Sequence, residues 1–167
     1  LKNLNSKQNF FSLTVRESPI RNSSKKRDIK CEIWQQIFKN LKNSDLIPIV
    51  IRETGNAFDN KKLFENVIEV PSASLNLPFR LALYEKCFLN FVKSNGPQDL
   101  MQYGYTNSVV FNIINEQEQI ISSKWFEESM GMIKGSSYPM TTSNIKTIWE
   151  HEDEKMIEEC LKDASLD

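Results

Sequence analysis

The stretch Thr106-Asn107-Ser108-Val109-Val110-Phe111-Asn112-Ile113-Ile114 decides how the chain is read. Its β-branched and aromatic residues are those of a central strand. After it, Asn115-Glu116-Gln117-Glu118 is polar and turn-like, and Ile120-Ile121 begins another short strand. Ser122 or Ser123 is placed to cap a helix starting near Lys124, with Trp125, Phe126, Ser129 and Met130 on or near one face. Working backward, Leu77, Leu81, Tyr84, Phe88 and Phe91 or Val92 recur at helical spacing. A helix is therefore expected over 78–94, stopped by Ser94-Asn95-Gly96-Pro97. Before it, Leu63-Phe64-Glu65-Asn66-Val67-Ile68-Glu69-Val70 reads as a strand that ends in the small-residue turn Pro71-Ser72-Ala73-Ser74. This alternation is that of a small α/β layer domain.

Upstream, Asp28 is placed to cap a helix over 29–43, where Ile33, Trp34, Ile37, Phe38 and Leu41 make one apolar stripe. Leu46-Ile47-Pro48-Ile49-Val50-Ile51 is a short apolar run in which Pro48 points to an edge strand or an irregular packed segment. Downstream, a helix is expected over 144–163, with Ile148, Trp149, Met156, Ile157, Cys160 and Leu161 as an interrupted stripe and acids on the other face. Residues 1–27 read as a flexible basic arm in which Phe10 to Val15 is a short strand or docking segment. Ser18-Pro19 between arginines suits either proline-directed phosphorylation or an ordinary linker turn. The expected organisation is an arm at 1–27, a helix and strand extension at 28–60, a central domain at 61–140 and an acidic C-terminal helix at 141–167.

At 167 residues and 19.4 kDa, with 40% hydrophobic and 26% charged residues, the chain suffices for one packed domain. No apolar run reaches the length of a membrane span. The first residue is Leu and no apolar leader follows, which is expected of a piece of a longer protein. Cys31, Cys87 and Cys160 are scattered, which argues against a disulfide framework or a zinc site and fits a reducing compartment. The single histidine, His151, sits in the acidic run Glu150-His151-Glu152-Asp153-Glu154, far from the shaped pocket that a nucleophilic triad needs. No Gly-rich phosphate loop is present. The reading is therefore non-catalytic, without cofactor or metal. Charge is uneven: residues 1–30 carry eight Lys or Arg against Glu17 and Asp28, while 150–167 carry eight acids against Lys155 and Lys162. Such flanks are usually solvated, although the arm is a weak signal for nucleic acid.

Two stretches together resemble a BRCT domain. Leu63 to Ser72 resembles that family's opening strand, and the helix closed by Asn95-Gly96 resembles its first helix. Thr106-Asn107-Ser108-Val109-Val110 resembles its third strand. Ile120-Ile121-Ser122-Ser123-Lys124-Trp125-Phe126-Glu127-Glu128-Ser129-Met130, followed by Tyr138, resembles the closing strand, the Trp-bearing last helix and a downstream Tyr. The likeness covers about 61–140. The segment from Asn112 to Gln119 leaves no room for the family's second helix, so that helix is expected to be shortened or missing. The helix at 29–43 and the run at 46–51 resemble the extra N-terminal helix of the helix-plus-BRCT variant. That variant occurs in a replication-kinase regulatory subunit and a yeast heterochromatin silencing factor.

The resemblance implies a small BRCT-like central sheet flanked by helices, with Trp125 packed between the last helix and the sheet. It implies a phosphopeptide pocket at Ser72, Ser74, Arg80 and Lys124. A helix start carrying an Arg is physically suited to phosphate. Ala73 stands where the family has Gly, and Lys124 substitutes for a Lys of the missing helix. The alternative reading is that Ser72 and Ser74 merely cap the helix at 78–94. The implied function is a non-catalytic interaction module of a nuclear protein of chromatin silencing, replication or DNA repair. It would dock short protein motifs, phosphorylated or not. The alternatives are a phosphate-independent adaptor, built on the helix at 29–43 and the C-terminal helix, and nucleic-acid contact through the arm. No membrane partner is expected.

Overall fold

Phe10–Thr14 forms strand β1, followed by helix α1 (Cys31–Asn40), a 3-10 turn at Leu41–Asn43 and strand β2 (Ile47–Ile51). A two-residue strand, β3 (Ile68–Glu69), leads through the single turn α2 (Ser72–Leu75) into α3 (Leu77–Lys86) and β4 (Leu89–Lys93). Then come α4 (Gly96–Gln102), β5 (Asn107–Phe111), α5 (Ser123–Met130), β6 (Asn144–Ile148) and α6 (Glu154–Ser165). The structure, a computed structural model, describes residues 9–17, 28–94, 96–111, 114–117, 119–139 and 144–165. The fold is α/β, with helices on both faces of one sheet, as the sequence led us to expect.

The six strands are all parallel and lie in the order β3-β2-β1-β4-β5-β6. The chain winds outward from β1 to β3, crosses back beside β1 as β4, and winds outward the other way. Right-handed crossovers in opposite directions put their helices on opposite faces. Accordingly α1, joined by α6, covers Phe11, Leu13, Val15, Val50, Phe91, Val109 and Phe111. The other face, carrying Ile49, Ile51, Val92, Val110 and Ile145, meets Tyr84 of α3, Met101 of α4 and Phe126 of α5. Trp34 anchors α1 edge-on to Phe91 at 5.1 Å and is 1% exposed.

Of the arm expected at 1–27, residues 9–17 are described and the rest lie outside the described residues. Its Phe10–Thr14 segment lies at the centre of the sheet, with Leu13 between Val50 and Phe91. Its polar members are paired under cover: Ser12 Oγ donates to Asn90 Oδ1 (2.6 Å), and Thr14 Oγ1 lies 2.7 Å from Tyr84 Oη. The short strand offered by the sequence is present, and it is buried in the sheet. Ser18-Pro19 lies outside the described residues.

The segment expected to be one helix over 78–94 is α3 followed by β4. All five residues of β4 are buried, and a strand covered on both faces loses the period of two that marks a half-exposed one. Gly96-Pro97, read as a helix stop, instead opens α4, where Pro is tolerated in the first turn. Ile120-Ile121 belongs to a 3-10 turn at Gln119–Ile121 and joins no strand. The next strand after β5 is β6, the first part of the segment expected as a helix over 144–163. The helix between β5 and β6 is the Trp125-bearing α5. Of Leu63 to Val70 only Ile68–Glu69 is strand. The short reach of β3, which pairs only with Ile49 and Val50, leaves the level of Pro48 at an edge. Trp125 is half-buried, and its neighbour Phe126, 1% exposed, fills the core instead.

Candidate functional site

Strand order reverses between β1 and β4, so the loops leaving their carboxyl ends diverge and open a crevice there. A cavity of about 730 Å³ occupies that place. Thr14, Val15 and Arg16 reach it from the end of β1, and Arg52 to Gly55 from the end of β2. Ser74, Leu77 and Arg80 enter from α2 and α3, and Gly96, Pro97, Asp99, Leu100 and Tyr103 from the region after β4.

From Thr14 in its lining a polar ladder runs inward. Thr14 Oγ1 meets the buried Tyr84 hydroxyl, whose pKa burial pushes up to about 12, so it stays protonated. Behind it Asn90 Nδ2 donates to the carbonyls of Tyr84 and Asn107, both at 3.0 Å. Three guanidinium groups line the cavity, and they differ in what holds them. Arg52 is held by three hydrogen bonds: Nε and Nη2 donate to the two carboxylate oxygens of Glu17 at 3.0 and 2.9 Å, and Nη1 donates to Lys61 O at 3.0 Å. This fork joins the ends of β1 and β2 and raises the Arg52 pKa further, chiefly through the Glu17 hydrogen bond.

Arg80 is only 5% exposed, yet its one hydrogen bond among the described residues runs from Nε to Ala73 O at 2.6 Å. Among those residues its Nη atoms have no hydrogen-bond acceptor. Arg16 Nε is buried and has no hydrogen-bond partner among the described residues, its nearest acid being Asp28 at 3.7 Å. Two acids, Glu53 and Asp99, line the same cavity. Burial pushes the Glu53 carboxyl above its ordinary range, with Arg16 pulling the other way, and burial also raises Asp99.

Of the residues singled out from the sequence, Ser74 and Arg80 line the cavity and Ser72 and Lys124 do not. The Ser74 hydroxyl is committed, donating to Arg52 O at 2.8 Å. Ser72 is exposed at the start of α2. Neither serine caps α3, whose cap is Asn76, with Oδ1 accepting from Phe79 N at 2.9 Å. Lys124 is exposed on α5, 3.8 Å from Glu128. Sequence reasoning passed over Arg16, Glu53, Asp99 and Tyr103. The usable signal was position: Arg16 and Arg52-Glu53 directly follow the apolar runs that become β1 and β2.

Among the described residues no cluster of His, Cys, Asp and Glu could hold a metal ion, and no helix is long and apolar enough to cross a membrane. Comparison of the chain with family models, curated proteins and solved structures gives no match.

Proposed function

We propose that the chain is a ligand-binding α/β domain that holds a small organic anion in the crevice between β1 and β4. The observation that carries this reading is Arg80, which lines the cavity, is 5% exposed, and has Nη atoms that keep access to solvent without a hydrogen-bond acceptor among the described residues. An enclosed guanidinium is poorly hydrated, and an anion entering the cavity supplies the hydrogen-bond acceptors it lacks. Arg16 brings a second unsatisfied donor to the same space. The volume falls within the range of small-molecule sites, and the position is where ligands bind in open parallel sheets. Titration with inorganic pyrophosphate tests it. Saturable binding is expected, weakened about tenfold or more in Arg16→Gln and in Arg80→Met. Binding that is absent, or indifferent to both substitutions, rejects it.

A second reading keeps the docking role expected from the sequence, with a short phosphorylated Ser/Thr motif of a nuclear partner as the anion. Ser74 and Arg80 in one wall favour it. The phosphate would rest on Arg80 and Arg16, since the Ser74 hydroxyl already donates to backbone. Competition for pyrophosphate by a phosphoserine peptide library, abolished by phosphatase treatment, supports this reading over the first.

A further inference from the structure

We infer that Tyr103 is a specificity-determining residue of this cavity and that the anion it admits is joined to a flat, unsaturated ring; the inference rests on the anion-binding reading above. The cavity is mixed in character. Arg16, Arg52 and Arg80, with the acids Glu53 and Asp99, bring charge to it, whereas Leu77, Leu100 and Tyr103 bring apolar surface. Leu77 is 57% exposed and Tyr103 77% exposed, so these two side chains stand toward solvent while Arg80 lies 5% exposed within. A ligand satisfying both parts has a charged end and an apolar end.

Tyr103 is presented on an anchored backbone. Gly104, next to it, is buried against α3: a Cβ there would lie 2.6 Å from Leu81 Cδ1 and 3.3 Å from Glu85 Oε1. On the far side Tyr105 N donates to Glu85 Oε1 at 3.2 Å. The turn is thus pressed onto α3 from two points, and Tyr103 leaves it with only its own two side-chain torsions free. A tyrosine so held offers a large amphipathic face at low entropic cost, and a π-face prefers another flat π-face in offset or edge contact. A saturated, puckered ring of equal size offers no such match.

Phenyl phosphate and cyclohexyl phosphate carry the same anion and the same number of ring carbons, so their comparison isolates the ring face. Binding of each, and of inorganic pyrophosphate, is measured on the full chain by calorimetry or ligand-observed NMR. The expected result is a preference of about fivefold or more for phenyl phosphate, displaced by pyrophosphate. That preference falls to within about twofold in Tyr103→Ala and survives in Tyr103→Phe. No preference, or one that survives Tyr103→Ala, overturns the role of Tyr103 while pyrophosphate binding still stands. Loss of pyrophosphate binding from the unaltered chain, or phenyl phosphate that pyrophosphate does not displace, overturns both readings at once.

Discussion

Lys93 Nζ lies 2.8 Å from Glu152 Oε2, and the two side chains are 1% and 0% exposed. The pair joins the end of β4 to the loop before α6, so the acidic run is not wholly solvated: Glu152 is its buried member. Glu152 Oε1 also accepts the Lys30 backbone N–H at 2.6 Å, and Lys93 Nζ donates to Asp28 O. The segments before α1 and before α6 are thereby tied to one strand end beside the cavity.

Breaking this pair from one side leaves a buried, uncompensated charge. Lys93→Met is expected to cost about 3–5 kcal/mol in urea unfolding, and the double change with Glu152→Leu to recover most of it. Burial pushes the Lys93 ammonium below its ordinary range against the pull of Glu152, so desolvation outweighs attraction here. Equal losses in the single and double variants count against this account.

Glu53 carries a stability cost that depends on pH. Its carboxyl titrates above the unfolded value of 4.5 because burial disfavours the anion. The folded chain therefore binds more protons than the unfolded one just above pH 4.5, and stability falls as pH rises through that window. The stability difference between Glu53→Gln and the unaltered chain should grow in the variant's favour from pH 4.5 upward and then level off. Chemical denaturation at a series of pH values reads this, and a difference independent of pH rejects it.

Two tryptophans of similar sequence setting should differ in cost. Trp34, 1% exposed and packed on Phe38 and Phe91, is expected to lose about 3–5 kcal/mol on change to Ala. Trp125→Ala, at a half-buried site, should cost less than half as much. Thermal or urea melts decide the order, and equal shifts contradict the packing described.

Cys87 should be inert in the native chain. It is 5% exposed, and burial pushes its thiol up to about 12, so almost no thiolate exists near neutral pH. Brief alkylation at pH 7.5 followed by mass spectrometry should find Cys87 modified only after denaturant is added. Fast native labelling there would show that α3 and β4 open readily.

The part of the site legible in the sequence is instructive in its limits. Arg80 was reached as the cation at a helix start, and it does line the cavity, but it comes from the fourth residue of a helix capped by Asn76. Arg16 was legible only as one charge after a short strand or docking segment, because nothing local showed that Ser12 and Thr14 are buried at the centre of the sheet. Their partners, Asn90 and Tyr84, lie far along the chain. Lys124 had the right charge in the wrong place: α5 lies beyond β5, away from the reversal of strand order.

Local pattern alone settled the α/β class, the stripe of α1 and the strands at Ile47–Ile51 and Asn107–Phe111, because β-branched runs and 3.6-residue spacing are properties of neighbouring residues. Strand order, and with it the meeting of Arg16, Arg52 and Arg80 around one cavity, came only with the tertiary structure. Parallel strands buried on both faces carry no periodic mark, and which strand lies beside which is set by crossovers and pairings between residues remote in the chain.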